Sequence, residues 1–117
     1  MSPDEFKDRT KSFALRVIKV VEALPRDSVS KALGNQLLRS GTSVAANYRA
    51  SARAKSNADF ISKMGTVEEE CDESLFWMEL LVESQRLRSR PLEPLIREGN
   101  ELLAMTVASI NTARRRS

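Results

Sequence analysis

The sequence predicts an all-α fold, an antiparallel up-down-up-down four-helix bundle, and three observations carry that prediction. Four long segments repeat apolar side chains at the three-and-four spacing of a helix, and none shows the period-two alternation of a strand. Three short breaks separate them, and breaks this short fold each helix back along its predecessor. Gly and Pro number only 4 each in 117 residues, a composition suited to one helical domain large enough to bury its own core.

The first helix is expected over residues 4–24, with Phe6, Phe13, Val17, Val20, Val21 and Leu24 on one stripe. Pro25-Arg26-Asp27-Ser28 interrupts it, and Asp27 or Ser28 can cap the next helix. The second helix is expected over 29–54, with Leu33, Leu37, Val44 and Tyr48 facing inward. Lys55-Ser56-Asn57 then supplies a turn and a cap for a third helix over 57–87. Its inward stripe is Phe60, Met64, Val67, Cys71, Leu75, Met78 and Val82. Arg88 to Pro91 forms the last break, because Pro suits a first helical turn. The fourth helix, over 91–113, carries Leu92, Ile96, Leu103, Val107 and Ile110. The four helices do not resemble one another, so the chain is no solenoid.

Composition excludes several function classes. A single Cys71 rules out an internal disulfide and suits a reducing compartment. The first residues have neither a basic region nor an apolar core of the secretory type, and no apolar run approaches a membrane span. A soluble, cytoplasmic protein is expected. There is no His, so the Glu-x-x-His ligand pattern of di-iron bundles is missing. Gly-rich phosphate loops, G-x-S-x-G and C-x-x-C are missing too. Cys71 lies on the core stripe with no His to activate it and reads as a small apolar residue. No catalytic, cofactor-binding or metal-binding residue is expected, and no enzyme.

One run stands out against the helical pattern, Gln36-Leu-Leu-Arg39-Ser40-Gly41-Thr-Ser43-Val-Ala-Ala-Asn47. Gly and small polar residues are poor helix formers, so something beyond the helix itself asks for them there. Gly34, Gly41, Ala45 and Ala52 fall on one side of the stripe and permit close approach of a neighbour. Gln36, Ser43 and Asn47 lie on the other side, with Ser40 nearer the core. These polar groups either bond across to another helix and back to carbonyls, fixing register, or form a polar binding face.

Together with Glu69-Glu70-Cys71-Asp72-Glu73-Ser74-Leu-Phe76-Trp77, this run resembles the 23S rRNA intervening-sequence protein family over nearly the whole chain. Arg39, Ser40, Ser43 and Asn47 occupy the family's characteristic positions, and their role there reads as structural. The resemblance implies a bacterial four-helix bundle that assembles into a ring-like homopentamer. A similar fold serves as the accessory protein of diversity-generating retroelements, a basic pentamer that supports a reverse transcriptase and its RNA. The family pattern continues after the Asn with an Ile-Ala-Glu-Gly-like turn. Here Tyr48-Arg49-Ala50-Ser51-Ala52-Arg53 replaces it, implying a longer second helix with a more basic end.

Charge is distributed unevenly. Residues 1–55 hold 11 Lys/Arg against 5 Asp/Glu, and residues 56–117 hold 8 against 11. Ordinary solvated faces would give this, as would a basic side and an acidic side suited to self-association or to an anionic partner. Arg49, Arg53 and Lys55 end the second helix and Arg114, Arg115 and Arg116 close the fourth; up-down topology puts both ends at one pole. They are the candidate RNA-binding residues, in a non-catalytic binding or scaffold protein. The other reading is a structural or protein-interaction module without nucleic acid. Phe76, Trp77 and Leu80 lie opposite the core stripe of the third helix and are the candidate subunit interface. Glu69, Glu70 and Glu73 would meet Arg side chains across it. No membrane contact is expected.

Overall fold

Helix starts in this chain are set by side-chain oxygens that hold the first free amides. In the computed structural model, which describes residues 1–116, Ser2 accepts the Glu5 amide at 3.2 Å and begins α1 (Pro3–Glu22) in a capping box. Asp27 accepts the Ser30 amide at 2.9 Å and begins α2 (Ser28–Ser51). Ser56 accepts the Asp59 amide at 3.0 Å and begins α3 (Asn57–Glu83). No side chain caps α4 (Ser89–Arg115), whose first turn instead contains Pro91, a residue with no amide to leave free.

Helix ends depart from the expected bounds. Instead of continuing to 54, α2 stops at Ser51: the Arg53 and Ala54 amides turn back to the carbonyls three residues earlier, which tightens and closes the helix. Instead of continuing to 87, α3 stops at Glu83. Gln85 takes φ 65°, and the Arg86 and Leu87 amides both return to the Leu81 carbonyl. That is a left-handed helix stop without the usual Gly. α1 ends two residues early, at Glu22, and α4 runs to Arg115, taking in two residues expected beyond it.

Cross-helix pairs give the topology. Gly34 faces Leu24 while Gly41 faces Val17, so α1 and α2 run in opposite directions. Asp27 meets Arg86 while Ser40 meets Ser74, reversing α3 against α2. Asn57 meets Ala113 while Cys71 meets Gly99, reversing α4 against α3. The bundle measures 47 × 22 × 20 Å. Its core is Phe13, Val17, Leu37, Val44, Met64, Val67, Met78, Leu81 and Leu102, all without solvent exposure. Val107, expected to face inward, is 36% exposed, and the neighbouring Thr106 is buried in its place. The Thr106 hydroxyl donates to the Leu102 carbonyl at 2.7 Å, which makes its burial tolerable.

The small residues of α2 act on two neighbours at once. A Cβ at Gly41 would stand 2.8 Å from Val17 Cγ1 and 3.1 Å from Val17 Cβ, so the α1 and α2 backbones approach closely there. Ser40, one residue earlier and turned toward α3, accepts the Ser74 hydroxyl at 2.9 Å inside the core. Gly34 adds a second close approach, to Leu24 just past the end of α1. Ala52, expected on the same packing side, lies past the end of α2 and is exposed.

Two substitutions test this packing. Gly41→Ala gains about 1 kcal/mol of helix propensity but forces a methyl against the stem of a buried β-branched side chain, a clash costing about 1–3 kcal/mol. Urea unfolding should show a net loss. Nothing lies within 4 Å of a Cβ at Gly65, so Gly65→Ala should stabilise by about 0.5–1 kcal/mol. The acid limb tests the α2 cap. Hydrogen bonds from the Ser30 amide and hydroxyl, with a smaller contribution from Arg86, hold Asp27 at about 2 rather than 3.8. A depressed folded value means stability present above pH 4 and lost as pH falls toward 2. Asp27→Asn keeps the cap oxygen but cannot titrate, so it should flatten stability over that window.

Candidate functional site

Up-down topology gathers the start of α1, the end of α2, the start of α3 and the end of α4 at one pole. α1 and α4 approach each other least of all neighbouring helices, and the seam between them opens at this pole into a groove of about 830 Å3. Phe6 and Tyr48, whose rings stack at 4.4 Å and 5°, line it together with Phe60 and Met105. The Tyr48 hydroxyl donates to the Pro3 carbonyl at 3.2 Å, tying α1 to α2, and burial pushes the phenol above its ordinary value. Asn57 Nδ2 donates to the Ala113 carbonyl at 2.8 Å and fixes the start of α3 to the end of α4.

The six cations singled out in the sequence sit on the ends that meet here. Arg49, Arg53, Lys55, Arg114, Arg115 and Arg116 are all exposed. Ala54 and Arg116, one from each basic end, line the same groove. Among the described residues none of the six forms a direct ion pair, although Lys55 lies close enough to help hold Asp59 ionised. Arg49, Arg114 and Arg115 occupy last helical turns, where a cation also complements the helix dipole. Arg86, by contrast, sits at the opposite pole and is taken by Asp27 at 3.3 Å.

The characteristic run lies at the waist of the bundle, away from that pole. Arg39 Nη1 donates to Glu70 at 2.8 Å, Nη2 donates to Glu73, and Nε reaches Gln36 at 3.3 Å. Trp77 Nε1 donates to the same Glu73 at 3.1 Å. The Arg39 guanidinium, followed by the indole, holds the Glu73 carboxyl below its ordinary value. The carboxylates expected to meet another subunit's Arg therefore meet Arg39 of their own chain, at Glu70 and Glu73. Ser40 bonds across to α3, while Asn47 Nδ2 bonds back to the Ser43 carbonyl at 2.8 Å. The Ser43 side chain is half-buried.

The aromatic face of α3 is narrower than expected. Phe76 is 47% exposed. Trp77 is half-buried, packs on the edge of the core and meets Phe76 edge-on at 5.0 Å. Leu80 is half-buried as well. Helical periodicity alone places Trp77 outward; its ring N–H instead donates to Glu73, the carboxylate that also accepts from Arg39 of α2, and the ring packs on the edge of the core.

Groups able to do chemistry are held inert. Cys71 is buried, donates to the Gly99 carbonyl at 3.2 Å, and is pushed up to about 12, first by burial and then by Asp72 and Glu98. Glu98 accepts Arg9 Nε at 2.9 Å, joining α1 to α4. Among the described residues no cluster of three Cys, Asp or Glu side chains is placed to hold a metal ion. No helix of the described residues is long and apolar enough to cross a membrane.

Residues 5–108 match the family described as 23S rRNA-intervening sequence protein. The crystal structure of a protein with unknown function from the S23 ribosomal protein family of Bacteroides thetaiotaomicron VPI-5482 superposes with a TM-score of 0.88 at 30% identity, covering 95% of this chain and 99% of that one. Comparison with curated proteins gives no match.

Cys71 offers a direct check on the waist. A thiolate is the reactive form, and neither exposure nor a lowered pKa supplies one here. The native protein at pH 7.5 should react with a thiol reagent only as fast as it opens, and at full speed in denaturant. Rapid labelling of the native state would contradict the packing of α3 on α4.

Proposed function

The chain belongs to the 23S rRNA-intervening sequence protein family, and from that premise we propose that it is a cytoplasmic, non-catalytic, oligomeric scaffold that engages RNA or an RNA–protein assembly through its basic pole. One observation carries this reading: six exposed cations, free of ion pairs among the described residues, lie on the ends of α2 and α4 at one pole, and Arg116 lines the groove there. Four cations of the chain, Arg9, Arg39, Lys63 and Arg86, are by contrast bound to carboxylates. Clustered, unneutralised cations attract a phosphate backbone and release its counterions. A ring of subunits, a homopentamer as the family resemblance implies, multiplies the cluster on one rim, and Phe76 with Leu80 and Trp77 supplies its apolar contact. The exposed Phe76 also favours the second reading, a structural or protein-interaction module without nucleic acid.

Salt dependence separates the two. RNA affinity should fall linearly in a double-logarithmic plot, with a slope of about −0.7 per phosphate contacted on a single strand. Replacing Arg114, Arg115 and Arg116 by Ala, or Arg49 and Arg53 by Ala, should weaken binding and flatten that slope in proportion. Absent or salt-independent binding would leave only the second reading. Light scattering of Phe76→Ala addresses assembly, and an oligomer of unchanged mass would exclude this face as the contact.

A further inference from the structure

We propose that the groove at the basic pole receives an unpaired nucleobase, so that this protein selects single-stranded over double-stranded RNA. The inference rests on the RNA-binding reading above and names the form of RNA. Its volume, about 830 Å3, lies within the 300–1,000 Å3 typical of small-molecule sites. The Phe6–Tyr48 stack closes the floor, both rings being almost wholly buried. Phe60 and Met105, both half-buried, line it as well and leave aromatic and aliphatic surface for an incoming base, the Met105 sulfur itself accepting from Arg9 Nη1 at 3.8 Å. The Ser109 and Thr112 side chains, on the α4 wall, make no hydrogen bond among the described residues and are free to meet the edge of a base.

Charge and shape together select the occupant. Arg116 lines the groove, and the other five cations lie on the ends of the helices that form it. The acidic residues nearest are engaged: Glu5 in the α1 capping box, Asp59 with Lys63 at 2.8 Å. Asp4 stays close enough to raise the Tyr48 phenol, so the α1 side repels phosphate and the backbone is steered to the α2 and α4 sides. An apolar slot beside a one-sided run of cations suits a base with its phosphate alongside. In duplex RNA the bases are stacked within the helix and the major groove is too deep and narrow for side chains to read. An unpaired base can leave its neighbours and stack on an aromatic ring.

Fluorescence anisotropy of the full chain tests this with two probes at one salt concentration, an unstructured oligoribonucleotide and a blunt duplex of equal length. Stacking of a base on an aromatic wall predicts roughly tenfold or greater preference for the single strand. Ala108→Phe and Thr112→Phe each place a ring in the groove from an exposed position. Each should bring the single-strand affinity down to the duplex value. Unchanged Trp77 emission, at the distant waist, shows that a variant is folded. Equal wild-type affinity for both probes overturns this inference and leaves RNA binding by the pole intact. A preference that survives both filled-groove variants overturns it too. Failure to bind either probe at low salt removes the RNA-binding reading and this inference together.

Discussion

The arrangement depends on α2 lying close to two neighbours at once. Residues 40 and 41 are adjacent in sequence but point to different helices, since each step along a helix turns by about 100°. Gly41 lets α1 approach until Val17 fills the place of a side chain. Ser40 lets α3 approach until two hydroxyls touch. With α3 set in register on α2, Cys71 and Asn57 set α4 on α3 through the Gly99 and Ala113 carbonyls. Up-down topology brings two basic helix ends to one pole, and that register fixes how they sit against each other. A larger residue at either position would move helices, and with them the pole.

Charge pairing then differs from one part of the surface to another. At the waist, Arg39 is engaged by Glu70 and Glu73, and at the far pole Arg86 meets Asp27. Exposed ion pairs of this kind contribute little to stability but do fix side-chain geometry. Glu73 shows the use: one carboxylate orients both a guanidinium and the Trp77 indole. At the groove the cations have no such partners among the described residues. The net charge of +3 thus understates the local field at the groove pole, where the ends of α2 and α4 bring six exposed cations together.

Much of this fold was legible in the sequence, for reasons that are local. Asp27 and Ser56 announce helix starts because a cap acts within three residues. The Ser40 position was legible from periodicity, and its partner Ser74 was not, because a contact between residues 34 apart in sequence has no local signature. The end of α3 was hidden because Gln85 adopts a left-handed conformation that Gly usually signals. Trp77 was read as outward because a helical wheel knows the core direction but not the Glu73 carboxylate, shared with Arg39 of α2, that its ring N–H joins. Gathering the cations required only topology. The groove among them arises from the parting of α1 and α4, which depends on packing around the whole bundle.

The register contact can be measured by a double-mutant cycle at Ser40 and Ser74, each changed to Ala, with stability read from urea unfolding. Each hydroxyl also has a carbonyl of its own helix within reach, Leu37 for Ser40 and Glu70 for Ser74. Neither single substitution therefore strands a buried group. A register set by the two hydroxyls predicts that the double mutant loses less than the sum of the two single losses, by an interaction of about 0.5–1.5 kcal/mol. Strictly additive losses would mean that the hydroxyls do not hold α2 and α3 in register, and would contradict the account at its base.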